Sequence, residues 1–444
     1  MAATATISAL PPASAPTFGI TPAALPPPGQ PDISYHPDWD KYQARVARRA
    51  QTEDLTKSLP EGFPKELKGD LVWDGETIAQ EYDWTYVLSA AQLDEIDRAL
   101  AHFKSLNVSK GYVTEETFPL PTLHEELRRL SRELHFGHGF FVLRGLDVDR
   151  YTREENIIIY AGVSSHIGSI RGRQDAYFQG ERADVVIGHI KDVRSGLGES
   201  RDKTKVKIGT PAYTADKQVF HTDSGDIVSL FALSTAAEGG ASRLASTWRV
   251  YNHIAATRPD LIHTLSGRWD AELFTKTVND TDKFMSRPLI HHLPASADGK
   301  TPDRILLQYG RRYYVGFGEI PRGKHLPPIT EAQAEALDTL HFLGERFSVS
   351  TNFEKGDMQY VNNVAIFHAR DGFTDTKDKQ SEVDESAPFR RHLLRLWLRD
   401  PEYAWETPAA LASRWERVYG GVTPELQIFP LEPHTRSEST TVTK

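Results

Sequence analysis

The chain has 444 residues, of which 39% are hydrophobic, and its formal net charge is -9. This length and apolar content suffice for a large buried core, in one large domain or in two to three ordinary ones. The mild acidity, with no dense run of Lys or Arg, argues against nucleic acid or an anionic membrane as a partner and favours a small molecule. The sequence has no cysteine, which excludes disulfides, thiolate catalysis and cysteine-ligated metals. A metal site must therefore use nitrogen and oxygen ligands.

Both ends of the chain have the composition of tails. Residues 1–35 are rich in Ala, Pro, Ser and Thr, which predicts a disordered N-terminal arm, and residues 431–444 predict a disordered polar tail. Residues 36–430 are expected to form a single domain with an N-terminal helical extension. No stretch reaches the roughly 18 apolar residues of a membrane span, and no targeting signal is recognisable, so we expect no membrane partner and a cytoplasmic location. The sequence carries no indication of oligomeric state.

The predicted elements begin with two amphipathic helices and a strand. Apolar residues at three- and four-residue spacing follow a Ser89 cap and predict a helix over 89–106, and the same pattern predicts a second helix over 123–134. The segment GFFVLRGL, residues 139–146, is a short apolar run bounded by glycine, which is typical of a strand. These helices are expected to pack one face on the core.

The second half of the chain predicts many strands and few helices. Strand candidates lie at 226–234, 242–247, 304–310, 311–318, 357–369 and 391–400, and helices at 247–266, broken near Pro259, and at 330–347. Regular strand-helix alternation and a glycine-rich phosphate loop are both missing from the sequence, which argues against a doubly wound fold. The pattern therefore predicts an α+β protein with a mainly β core, a barrel or jelly roll with flanking helices.

One short motif at a strand boundary points to metal chemistry. In FHTDSGDIVSLFAL, residues 220–233, His221 and Asp223 stand two positions apart, so on a strand both side chains point to one face. His368, at the end of a predicted strand 147 residues later, is the best candidate for a third ligand. Two histidines and one carboxylate form the facial triad of non-haem Fe(II) oxygenases.

Two other motifs of the same kind are weaker candidates. His36 and Asp38 also have the H-x-D spacing, but they border the proline-rich arm. His124 and Glu126 lie on a predicted helix, where residues two apart do not share a face. Neither pair is therefore expected to hold the metal together.

Four segments together resemble a known family. FHTD, EGGASRLAS, NNVAIFHAR and RRHLLRLWL follow one another in the order found in taurine dioxygenase-like (TauD/TfdA-type) Fe(II)/2-oxoglutarate-dependent oxygenases, over roughly residues 120–400. The resemblance implies a double-stranded β-helix, with His221, Asp223 and His368 as iron ligands. It also implies that Arg391 binds the far carboxylate of 2-oxoglutarate and that the hydroxyl of Ser242 donates a hydrogen bond to the same carboxylate.

Electrostatics also favour a buried arginine at position 391. A carboxylate at the base of a barrel needs a partner, and a guanidinium can bind it through two hydrogen bonds. Strand alternation puts Arg391 and Arg395 on one face of residues 391–399 and Arg390 on the other. The loop 371–389 is predicted to be a surface loop and a candidate lid. If it were ordered against the core instead, Arg390 would replace Arg391.

Three further positions near these motifs have open interpretations. By resemblance to the taurine-oxidising relatives, Arg395 binds the anionic group of the substrate; the alternative is a structural ion pair. Trp397 is expected to be a core residue. The Asn362-Asn363 pair either ends strand pairing or lies near the site.

These observations predict an Fe(II)- and 2-oxoglutarate-dependent dioxygenase that uses O2. It would hydroxylate or oxidatively cleave a small substrate carrying a carboxylate or sulfonate, with release of succinate and CO2. A first alternative is a catalytically inactive jelly-roll protein that binds a small molecule. A second is a hydrolase with a His-Asp pair and a serine such as Ser224, but no G-x-S-x-G elbow is present.

Overall fold

The structure is a computed structural model that describes residues 21, 25–194, 206–272, 284–298, 301–375, 390–433, 436 and 440–442. No helix among these residues is both long and apolar enough to cross a membrane. The helices are α1 (Trp39–Thr52), α2 (Ile78–Glu81), α3 (Ala90–Leu106), α4 (Leu123–Phe136), α5 (Arg153–Ser165), α6 (Thr247–Thr257), α7 (Pro259–Ser266), α8 (Arg312–Val315), α9 (Glu331–Arg346) and α10 (Ala412–Tyr419).

Strands make up the centre of the molecule and also several small peripheral ribbons. The strands are β1 (Thr85–Val87), β2 (Phe140–Arg144), β3 (Ile170–Arg171), β4 (Asp175–Phe178), β5 (Glu181–Val185), β6 (Ile187–Ile190), β7 (Val206–Ile208), β8 (Gln218–His221), β9 (Ile227–Ser234), β10 (Glu238–Gly239), β11 (Ser242–Ser246), β12 (Trp269–Glu272), β13 (Phe284–Arg287), β14 (Ile290–Leu293), β15 (Arg304–Leu307), β16 (Val349–Ser350), β17 (Met358–Asn362), β18 (Ile366–Arg370), β19 (Phe373–Thr374), β20 (His392–Arg399), β21 (Gln427–Ile428) and β22 (Thr440–Val442).

Local sequence signals fix the ends of the main helices. Ser89 caps α3 and forms a capping box with Gln92, and Thr330 does the same for α9. Pro259 starts α7 directly after α6, as expected because proline is tolerated in the first turn of a helix but not in its interior. These helices therefore agree closely with the sequence prediction.

The larger central sheet has one face on a helical layer. Its strands run in the order β1-β2-β17-β9-β20-β3, with β6 also paired to β20, and only β1 and β2 are parallel. On β20, Leu394, Leu396 and Leu398 are buried in the apolar core that this sheet shares with α3, α4 and α5. Arg391, Leu393, Arg395 and Trp397 alternate with them and face the other way.

The smaller central sheet carries part of the predicted metal site. Its order is β16-β11-β18-β8, and the helices α6 and α9 pack against it. In the β18-β8 pairing, His368 lies opposite His221, and the register shifts between His368 and Arg370. Pairing of two distant strands thus brings together histidines 147 residues apart in the sequence.

Two strand predictions are wrong. Residues 311–318 do not form a strand, because Arg312–Val315 is a short helix despite its β-favouring aromatic residues. Residues 357–369 form two strands rather than one, β17 and β18, separated by a turn at 363–365.

Parts of the two segments predicted as tails contact other described parts of the chain. Ile33 and Tyr35 are buried, and the carbonyl of Ser34 accepts a hydrogen bond from Arg311. At the other end, β22 pairs with β7. Most of the predicted 371–389 loop lies outside the described residues.

Candidate active site

The three predicted iron ligands converge on one point. The rings of His221 and His368 have centroids 4.2 Å apart, and Nε2 of His221 is 3.7 Å from Oδ1 of Asp223. One potential ligand atom from each of the three residues lies within 4.8 Å of the others. This donor set, two imidazoles and one carboxylate, fits Fe(II).

The histidines are neutral and one is already oriented. The backbone carbonyl of Val219 lies 2.8 Å from Nδ1 of His221 and so accepts its proton, which leaves the Nε2 lone pair facing the site. Burial lowers the pKa of both histidines, that of His368 to about 3. Nδ1 of His368 is buried with no hydrogen-bond partner among the described residues. Nε2 of His221 accepts a hydrogen bond from Nε2 of Gln218 at 2.9 Å, which a bound metal ion would displace, and the neutral imidazole is the form that a metal ion requires.

The carboxylate of Asp223 is ionised, and its two oxygens have different neighbours. Oδ2 accepts from Arg395 Nη1 at 2.6 Å and from Trp397 Nε1 at 3.1 Å, whereas Oδ1 faces His221. Burial alone would raise the pKa of Asp223, but the neighbouring guanidinium of Arg395 holds it well below its usual range. Oδ1 therefore remains available as a single metal ligand.

The backbone of the same turn is held by side-chain amides. Asn363 brackets Asp223: its Oδ1 accepts from the Asp223 amide at 2.7 Å, and its Nδ2 donates to the Asp223 carbonyl at 2.9 Å. Nδ2 of Asn363 also donates to the carbonyl of Gly225, a residue with φ of +95°, and Gln308 donates to the Asp223 carbonyl at 3.0 Å. Asn363 thus both sits in the turn that ends β17 and fixes the metal-binding turn.

The opposite end of the cavity is cationic. A cavity of about 470 Å³ extends from the histidines past Ser242 to the side chains of Arg370 and Arg391. Nη1 of Arg391 and both Nε and Nη1 of Arg370 are buried without a hydrogen-bond partner among the described residues. Burial, with the neighbouring charge of Arg370, lowers the pKa of Arg391 well below its usual range, and burial lowers that of Arg370 to about 10. This end of the cavity fits an anion.

The neighbours of these arginines bear on the sequence predictions. Arg391 faces the cavity, whereas Arg390 does not line it. Ser242 lines the same cavity, but its hydroxyl donates its single proton to Oε1 of Gln359 at 2.9 Å, so it would have to turn away from Gln359 to donate to 2-oxoglutarate as predicted. Arg370 was missed by the sequence analysis, although its spacing of two from His368 puts it on the same strand face.

A second opening reaches two of the three predicted ligands. This cavity of about 460 Å³ is lined by His221, Asp223 and four arginines, Arg311, Arg312, Arg395 and Arg436. Nη2 of Arg395 is buried with no hydrogen-bond partner among the described residues, while its Nε donates to Gln174 at 2.9 Å. Arg436 comes from the predicted tail, with its guanidinium carbon 5.6 Å from the centre of the Trp397 ring.

Comparison with known proteins identifies the family. Residues 102–397 match the family described as "Taurine catabolism dioxygenase TauD, TfdA family". The taurine hydroxylase-like protein SAT17 of Stachybotrys chartarum (strain CBS 109288 / IBT 7711) is 35% identical over 366 residues, which are 82% of this chain and 88% of that protein. The chain belongs to the TauD/TfdA family. As a TauD/TfdA protein it is a non-haem Fe(II)- and 2-oxoglutarate-dependent dioxygenase that uses O2, as the sequence resemblance predicts.

Two further similar proteins have lower sequence identity. FR-33289 synthase of Streptomyces rubellomurinus (strain ATCC 31215) is 26% identical over 360 residues, 80% of this chain and 97% of that protein. A solved structure of asparagine oxygenase in complex with Fe(II), 2S,3S-3-hydroxyasparagine and succinate superposes with a TM-score of 0.48 at 15% identity, covering 71% of this chain and 94% of the other.

Proposed function

We propose that the protein hydroxylates or oxidatively cleaves a small anionic substrate and converts 2-oxoglutarate to succinate and CO2. The observation that best supports this proposal is the cavity that links the cluster of His221, Asp223 and His368 to two buried guanidinium groups. Both guanidinium groups have donor atoms without a hydrogen-bond partner among the described residues. Two electrons from decarboxylation of 2-oxoglutarate and two from the substrate balance the four-electron reduction of O2. Bound iron would supply the site at which O2 is activated. We also propose that the two central sheets are the halves of a double-stranded β-helix.

In this proposal the chain's own residues divide the binding tasks. His221, Asp223 and His368 would hold the metal, with Arg395 and Trp397 keeping the Asp223 carboxylate ionised and oriented. Arg391 would bind the far carboxylate of 2-oxoglutarate. Nη1 of Arg391 has no hydrogen-bond partner among the described residues, so a carboxylate there would give this buried guanidinium a directly bonded anion in addition to the nearby Asp375.

The substrate would enter through the second opening. Nη2 of Arg395 is available there to an anionic group, and Arg312 and Arg436 add positive charge to the wall. Three guanidinium groups favour a carboxylate or sulfonate over a neutral compound. The name of the relative, taurine hydroxylase-like, agrees with a sulfonate among the candidates.

The activity is tested by reconstituting the protein anaerobically with Fe(II) and 2-oxoglutarate, adding O2, and measuring succinate with panels of sulfonates, carboxylates and neutral compounds. We expect one or more anions to stimulate succinate release and to be oxidised. His368→Ala should abolish both signals while leaving the circular dichroism spectrum unchanged, because the residue lies in the cavity wall. Full activity in His368→Ala would contradict the metal assignment.

The anionic preference is tested separately with Arg436→Gln. This variant should raise the apparent KM for the substrate at least tenfold and leave substrate-free turnover of 2-oxoglutarate unchanged, the pattern of lost binding rather than lost chemistry. Arg48→Gln, on α1 with a side chain 61% exposed, is the matched control. A panel in which neutral compounds outperform every anion would contradict the proposed substrate class while leaving the reaction class intact.

A further inference from the structure

A second cluster of potential metal ligands lies among the helices, and none of its residues lines either cavity of the active site. His124 is in the first turn of α4, His166 is the C-cap of α5, and Glu115 is in the loop before α4. Nδ1 of His124 is 2.9 Å from Nδ1 of His166 and 3.9 Å from Oε2 of Glu115. The sequence pair His124 and Glu126 is not the relevant one, because the partners come from other segments.

The buried member of the cluster is already oriented as a ligand. His166 is 2% exposed, and its Nε2 lies 2.9 Å from the carbonyl of Phe118, which accepts its proton. Burial, with a smaller effect from His124, lowers the pKa of His166 to about 4, so the ring is neutral. Nδ1 of His166 then accepts a hydrogen bond from Nδ1 of His124 at 2.9 Å, and a metal ion bound between the two rings would replace that hydrogen bond. A histidine whose second nitrogen donates to a backbone carbonyl is the usual arrangement around protein-bound metals.

The other two members are accessible to an incoming ion. The side chains of His124 and Glu115 are 39% and 37% exposed. The nearby cation Arg128 is paired with Asp400 at 2.8 Å and with Glu402 at 2.8 Å, so its charge is compensated. The local field therefore does not oppose a bound cation.

We propose that Glu115, His124 and His166 bind a divalent transition-metal ion of the Zn²⁺ type, with water completing the coordination. Bonds of about 2.0–2.1 Å in a tetrahedral site place ligand atoms about 3.3 Å apart. The two observed separations of 2.9 and 3.9 Å lie on either side of that value. All three ligand atoms lie within 4.8 Å of one another, so movement of the two exposed side chains would complete the geometry, and imidazole with carboxylate suits zinc in a chain without cysteine.

The site would act as a structural clip. It would tie the loop that carries Glu115 to the start of α4 and the end of α5, both of which pack behind the larger sheet. The same loop supplies the Phe118 carbonyl that orients His166, and Phe118 itself is fully buried. Metal binding would therefore fasten three segments that already meet at one point.

The experiment uses full-length protein freed of metal with a chelator, in the His368→Ala background to remove the iron site. Zn²⁺ and Co²⁺ binding is followed by equilibrium dialysis with elemental analysis, by Co²⁺ absorption spectra and by thermal unfolding. We expect one equivalent of Zn²⁺ to bind and to raise Tm. Adding His124→Ala should weaken binding at least 100-fold and remove the Tm shift, and adding Glu115→Gln should weaken it about tenfold.

His138→Ala is the matched control in the same background. His138 is paired with the single carboxylate of Glu133 at 2.6 Å, so it reproduces a surface His-Glu pair without the third ligand. The control should retain one equivalent of Zn²⁺. The proposal would be overturned by absence of Zn²⁺ binding in His368→Ala, or by His124→Ala and His138→Ala having equal effects.

Discussion

Buried charge is compensated differently at the two ends of the active-site cavity. At the metal end, the Asp223 carboxylate has its own cation, Arg395, and an indole donor, Trp397, so the charge is compensated within the chain. At the far end, Arg391 and Arg370 point donors into the cavity with no acceptor among the described residues. The charge at the first end is therefore balanced within the chain, whereas at the second end the proposed function requires a bound anion.

The largest expected effect is on cosubstrate affinity. Removal of one partner from a buried ion pair costs about 3 to 5 kcal/mol, so Arg391→Ala should weaken 2-oxoglutarate binding by two to three orders of magnitude. Arg390→Ala is the control and should change the affinity little. Calorimetric titration of 2-oxoglutarate into the anaerobic Fe(II) protein measures both. The reverse ranking would mean that the strand register, and with it the whole comparison, is wrong.

The comparison also predicts stability changes of opposite sign in protein free of metal and 2-oxoglutarate. Arg395→Met should destabilise the fold by about 3 to 5 kcal/mol, because Asp223 is left buried without its cation. Arg391→Met should stabilise it, because a buried cation with an unsatisfied donor is replaced by an apolar side chain. Urea unfolding gives both values. If the free energy of unfolding changed with the same sign in both variants, the proposed difference between the two ends of the cavity would be contradicted.

A smaller effect is expected from the indole donor at the metal end. Trp397→Phe keeps an aromatic side chain but deletes the hydrogen bond to Oδ2 of Asp223. The loss of such a partner lowers metal affinity by about 10- to 100-fold. Trp405→Phe deletes a buried indole hydrogen bond to the His135 carbonyl instead and serves as the control. Fe(II) affinity is measured by competition with a chromogenic chelator. Equal affinities in the two variants would assign Trp397 a packing role alone.

The smallest effect concerns the hydroxyl at the cosubstrate end. Ser242→Ala removes one hydrogen-bonding group worth about 1 kcal/mol, so 2-oxoglutarate affinity should fall about fivefold. Ser246→Ala, on the same strand, removes a hydroxyl that donates to the Leu71 carbonyl and should leave that affinity unchanged. An effect of Ser242→Ala as large as that of Arg391→Ala would contradict a supporting role for the hydroxyl.

Much of this arrangement could be predicted where the information is local or periodic. Alternation along 391–399 correctly put Arg391 and Arg395 on one face, and the H-x-D spacing correctly put His221 and Asp223 together. The helix cap at Ser89 was predicted for the same reason.

The remaining features depend on contacts between distant segments. The support that Asn363, Gln308 and Trp397 give to Asp223 has no local signature, because each hydrogen bond joins segments at least 85 residues apart. The cluster of Glu115, His124 and His166 likewise joins three segments, so no local pattern in the sequence indicates that these residues meet. Short aromatic runs such as residues 311–318 have no decisive periodicity, which explains the wrong strand there.

The alternation of β20 has a consequence for folding. A slip of one residue in its pairing would turn Arg391, Arg395 and Trp397 into the apolar layer beside α5 and turn Leu394 and Leu396 toward the cavity. Such a misaligned sheet would bury guanidinium groups in hydrocarbon and would be rejected as the chain collapses. The charged residues that line the cavity therefore also favour the native alignment of β20, because a slipped pairing would place them in the apolar core.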